Sequence, residues 1–209
     1  WRKRLEDIYA GTITMRLEPK EVAQDVNYSN DVIISNAALV DRLIADPRMR
    51  ETLELELTGP LTPKHLFNDE RQFIAADGNR FAFRAKRISM DGVDTPSLPI
   101  LDESMQEWLE ATTFVQSDDP RLIQKAKEII GSETDALKVS ELLCEWVYKN
   151  VQTSFSARLT NSLEVLDSLA GDCTEHSMLF IGLARAAGLP AREVAGLVYV
   201  DGPPAGFYF

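Results

Sequence analysis

Histidine and cysteine are scarce in this chain, with two of each in 209 residues. Two cysteines make no disulfide framework. No short-spaced pair of Cys or His ligands is answered by a second pair, so neither a zinc site nor any other cofactor is expected. No apolar run approaches the ~20 residues of a membrane span, and no charged-then-apolar signal segment opens the chain. The sequence begins at Trp1 rather than Met, so a removed leader and a trimmed chain both stay open, and the compartment with them, an exported or periplasmic setting being slightly favoured over a cytoplasmic one. Basic residues are outnumbered, 22 against 33 acidic, for a net charge of −11. The terminal run Arg2-Lys3-Arg4 reads as a solvated end. A nucleic-acid surface asks for clustered Lys and Arg, so nucleic acid is not an expected partner. There is no internal repeat and no low-complexity stretch.

What is present is enough apolar residue, 44%, for a real core in one large or two modest domains. The first part reads as strand-rich. Thr12–Glu18 and Glu51–Thr58 alternate polar and apolar residues, as half-buried strands do. Gln72–Ala75 and Arg80–Lys86 flank the turn signal Asp77-Gly78-Asn79 and read as a hairpin, with Phe81 and Phe83 as core rather than a stacking platform. Between the early strands, Asn36–Ile44 has the 3.6 period of a short helix that Asp46-Pro47 stops.

From Asp91 to Pro99 the chain turns to Gly, Pro, Asp and Ser, which marks a connection. A short helical segment near Glu103–Glu110 follows, and Ser117-Asp118-Asp119-Pro120 offers a helix start. The reading therefore divides the chain into 1–116 and 117–209. Helices are expected from Pro120 to Gly131, from Thr134 to Asn150 and over Asn161–Leu166. Ala191–Val200, dense in β-branched residues, reads as a strand, and Phe207-Tyr208-Phe209 opens another.

The stretch from which chemistry can be argued is Gly171-Asp172-Cys173-Thr174-Glu175-His176, followed by the apolar run Ser177–Ala187. Asp172 as N-cap with Glu175 three residues on forms a capping box, which starts a helix at Cys173. A thiol there lies among backbone N–H groups with no intrahelical acceptor and against the positive end of the helix dipole, which favours thiolate over thiol. The helix is apolar nearly all round, so it is expected to be a buried central element with its reactive tip exposed.

The other titratable residues have plainer readings. Cys144, beside Leu142, Leu143 and Trp146, is expected to be a small buried hydrophobe, and a Cys144–Cys173 bridge is left open. His176 shares a helical face with Cys173 and is weighed both as a base and as a polar first-turn residue. His65 reads as surface. Arg185 and Arg192 read as counter-charges to Asp172, Glu175 and Glu193.

These residues together resemble a known family. Trp146-Val147, Ser162-Leu163-Glu164-Val165-Leu166, Gly171-Asp172-Cys173 with Glu175, then Leu183–Arg192 and Val194-Ala195-Gly196, look like the core of the transglutaminase-like superfamily over about residues 119–209. No resemblance is found in 1–116. Joined to the strand-rich reading of 1–116, the resemblance implies an α+β fold, in which that N-terminal domain is followed by the helical lobe and first strands of an incomplete papain-like cysteine domain. It implies a Cys-His-Asp triad with Cys173 as the catalytic nucleophile. The family's histidine would stand just beyond an aromatic such as Phe209 and its aspartate further on, positions that 1–209 does not include. The Cys173 N–H is a candidate oxyanion donor.

Three function classes stay open. One is a thiol acyltransferase or amidase acting on a protein or peptide substrate through a Cys173 acyl-enzyme, with 1–209 inactive alone. The second is a cysteine peptidase on the same scaffold. The third is a non-catalytic protein-binding module. Oligomeric state, acyl donor and acceptor are not read from the residues.

Overall fold

In this computed structural model, residues 2–7, 11–16, 19–20, 37–59, 61–62, 67–78, 80–154, 160–202 and 204–208 are described, with the backbone alone for 2–7, 11–16 and 77. Strands and helices are both well represented, and the fold is α+β. Two compact units divide the chain: Trp1–Met90 with Ala195–Phe209, and Asp91–Val194.

The first unit is built of antiparallel strands. β1 (Arg2–Asp7) pairs with β2 (Gly11–Arg16). β4 (Thr52–Leu57), β6 (Arg80–Lys86) and β5 (Gln72–Asp77) form a sheet in that order. Alternation decides which face is covered: Leu53, Leu55 and Leu57 are half-buried, as are Phe81, Phe83 and Ala85 opposite them in register. Phe81 and Phe83 thus pack with leucines. The other face carries cross-strand ion pairs, Glu54 with Arg84 at 2.7 Å and Glu56 with Arg80 at 2.8 Å. β5 and β6 make the expected hairpin, with Asp77 opposite Arg80. Gly78 has φ +61°, a conformation open to glycine at no steric cost.

A third sheet has the order β3 (Ala37–Leu39), β10 (Gly206–Tyr208), β9 (Val198–Val200). It corrects two expectations. Ala37–Leu39 is strand rather than helix, because pairing with β10 supplies the backbone partners that a short local period cannot outweigh; Asn36 lies outside the described residues. The strand expected over Ala191–Val200 is confined to Val198–Val200, since β10 pairs with only those three. Val194 and Leu197 are exposed instead.

The second unit is helical. α1 (Pro120–Ile130), α2 (Ala136–Asn150), α3 (Ser162–Ser168) and α4 (Cys173–Ala186) begin at side-chain caps from Asp119, Asp135, Asn161 and Asp172. α4 packs against the other three. The core joins Leu122 and Ala126 of α1, Val139, Leu143 and Val147 of α2, and Val165 of α3 to Leu179, Leu183 and Ala184 of α4. On α2 the buried positions 136, 139, 143 and 147 form one stripe. Cys144 stands beside that stripe, not on it, and is exposed, which corrects the buried reading.

Residues 91–116 run along this unit as a hydrogen-bonded strap. Leu98 N–H donates to Thr134 O at 2.8 Å, Ile100 N–H to Gly188 O at 3.1 Å, and Phe114 O accepts from Ser162 N–H at 2.8 Å. The expected helical segment is a 3-10 helix over Glu103–Trp108. Among the described residues no helix is long and apolar enough to cross a membrane.

Candidate active site

Cys173 is the first residue of α4 and is exposed, while the body of the helix is buried. The capping box is complete. Asp172 Oδ1 accepts from Thr174 N–H at 2.8 Å, and Glu175 Oε2 accepts from Asp172 N–H at 2.7 Å. Two first-turn needs are met locally, and the helix start is fixed at the cysteine.

The capping carboxylate folds back over Gly171. A Cβ on residue 171 would lie 2.2 Å from Glu175 Cβ, so only glycine lets the two segments approach this closely. Glu175 is 5% exposed as a result. The segment before the cysteine is held from the other side by a parallel pair, β7 (Gln152–Thr153) with β8 (Ala170–Gly171). Gln152 N–H donates to Leu169 O at 2.8 Å and Ser154 N–H to Gly171 O at 2.9 Å. Two-residue strands leave no periodic signal, so this support was not legible from residue pattern.

His176 is engaged at both ring nitrogens. Nδ1 lies 2.6 Å from Asp172 O and Nε2 3.2 Å from Val151 O. A carbonyl oxygen only accepts and a neutral imidazole carries one N–H, so one of the two contacts is a hydrogen bond in either tautomer while the other nitrogen also faces a backbone carbonyl. The ring sits between the start of α4 and the residue after α2. Ser177 Oγ donates to Cys173 O at 2.8 Å, a further bond across the first turn. His65 and Phe209 lie outside the described residues.

Among the described residues neither arginine makes the ion pair expected of a counter-charge. Arg185 Nε donates to Ala191 O at 2.9 Å and Nη1 to Glu110 O at 2.7 Å, and burial lowers its pKa from the usual guanidinium value. Arg192 stacks over the Trp108 ring at 5.3 Å. Both hold the exit of α4 against the strap. Cys144 and Cys173 are unbridged, and among the described residues no three His, Cys, Asp or Glu side chains are grouped to hold a metal ion.

Residues 123–205 match the family model of the transglutaminase-like superfamily. An uncharacterized protein of Haemophilus influenzae is 35% identical over an alignment of 99 positions that covers 44% of this chain and 26% of that protein. A solved structure from Cytophaga hutchinsonii, described as that of a candidate cysteine protease, superposes with a TM-score of 0.51 at 19% identity. It matches 75% of this chain and 65% of its own. The chain spans about a quarter of the length of the first relative and under two thirds of the second.

Proposed function

We propose that the chain carries the nucleophile of a thiol enzyme acting on glutaminyl or peptide amide bonds, with Cys173 forming the acyl-enzyme. The observation that carries this reading is an exposed cysteine at the first position of a buried, doubly capped helix, inside the segment that matches the transglutaminase-like model. The sulfur attacks the amide carbonyl carbon. The Cys173 N–H, which has no intrahelical acceptor, is placed to donate to the developing oxyanion. The C–N bond then breaks, the amine leaves with a proton, and the thioester passes to an amine or to water.

Proton transfer in both halves needs a base, and both ring nitrogens of His176 face backbone carbonyls. The resemblance assigns that role to a histidine outside residues 1–209, oriented by an aspartate. Hydrolysis is a second reading, favoured by the description of the Cytophaga hutchinsonii neighbour as a candidate cysteine protease.

The test incubates 1–209, and a version extended through the following strands, with a glutaminyl peptide and a primary amine. The extended protein is expected to release product steadily and to lose that activity in Cys173→Ala, while 1–209 gives none. Transfer to the amine marks an acyltransferase, and release to water alone a peptidase or amidase. Turnover that survives Cys173→Ala would overturn the reading.

A further inference from the structure

The β4–β6 ladder matches its exposed charges at two positions and leaves them unmatched at its end. Glu54 pairs with Arg84 and Glu56 with Arg80. The next exposed position on β4 is Thr52, and it stands opposite Lys86. There is no carboxylate where the pattern would put one. Among the described residues Lys86, Arg87 and Arg50 make no ion pair, in a chain with a net charge of −11.

Register brings these three cations together. Antiparallel pairing sets the start of β4 beside the end of β6, and Arg87 N–H donates to Glu51 O at 2.8 Å. Arg50 Nε donates to Ala45 O at 2.8 Å, which orients its guanidinium, and Tyr199 Oη accepts from Ile44 N–H at 3.0 Å. Arg50, Lys86 and Arg87 line one cleft of the first unit, together with Glu51, Leu53 and Tyr199.

We propose that this cleft binds a carboxylate-bearing peptide segment. Three unmatched cations ask for negative charge. Leu53 and Tyr199 add apolar contact that a bare anion would not use. Glu51 discriminates among anions: a polyphosphate or nucleic acid would bring dense charge against it, whereas a peptide presents separated carboxylates with N–H groups between them. The inference concerns the first unit alone and does not depend on the chemistry of Cys173.

The test uses the full 209-residue chain and a fluorescently labelled peptide of alternating glutamate and leucine, read by anisotropy at low ionic strength. The peptide is expected to bind, and its glutamine-for-glutamate analogue to bind about tenfold or more weakly. The double variant Lys86→Gln/Arg87→Gln is expected to weaken binding to a similar degree. Thr52→Glu supplies the missing carboxylate opposite Lys86, so it is expected to weaken peptide binding without lowering the Tm. No binding, equal binding of the neutral analogue, or unchanged binding in both variants would overturn the proposal. Tripolyphosphate binding more tightly than the peptide would overturn the assignment to a peptide.

Discussion

A side chain at residue 171 would have nowhere to go. Its Cβ would stand 2.2 Å from the Cβ of Glu175, an atom at the root of a helical side chain that cannot swing away. Gly171→Ala is therefore expected to cost roughly 1–3 kcal/mol, as overpacking does, and to lower the Tm by several degrees. The clash also takes in Glu175 Cγ at 2.4 Å and Oε2 at 2.7 Å, so the penalty is expected to fall in part in a Glu175→Ala background and further in Glu175→Gly, where the Cβ contact is gone too. Thermal melts of this mutant cycle measure it; equal penalties in both backgrounds would contradict the steric account. At this scale the site was legible where its chemistry is local. Asp172, Cys173 and Glu175 sit within four residues, and a capping box needs nothing from elsewhere. The exposure of Cys144 was not legible, because neighbouring apolar residues do not say which arc of α2 meets the core. Leu142 next to it is exposed as well.

The helices could be read because each announces its own start. Asp119 before Pro120, Asp135, Asn161 and Asp172 all accept first-turn N–H groups. The strands that were misread depend on distant partners: β3 on β10, and residues 191–197 on a neighbour that three-residue β10 does not supply. One cap also joins elements. Asp135 accepts the hydroxyl of Thr95 in the strap and the N–H of Lys138 at 3.0 Å in α2, and these bonds hold its carboxyl below the ordinary 3.8. A carboxyl whose pKa is lower folded than unfolded adds stability above the ordinary value and loses it as the pH falls through the lowered one. Urea titrations across an acid pH series are expected to show a shallower acid loss for Asp135→Asn than for the parent. Identical slopes would show that the strap does not draw on this carboxylate.

For the molecule as a whole, the α+β class followed from hydrophobic period together with the family resemblance, and the transglutaminase-like segment from motifs whose spacing survives in a single sequence. The chain order of the units did not. Residues 195–209 group with 1–90, which is a matter of pairing between segments far apart in the chain. The exposed thiol and the unmatched cations accordingly lie in different units, Cys173 in Asp91–Val194 and the cations in the other. The central claim is that Cys173 is a nucleophile, and Cys144 is an internal control, being exposed on a neighbouring helix of the same unit but away from any helix N-terminus. The most direct measurement is time-resolved peptide mapping after exposure to p-nitrophenyl acetate, which needs no outside base to acylate a reactive thiol. Acetylation is expected to accumulate at Cys173 well before Cys144, with matching release of p-nitrophenol; equal rates, or faster acetylation of Cys144, would contradict the account.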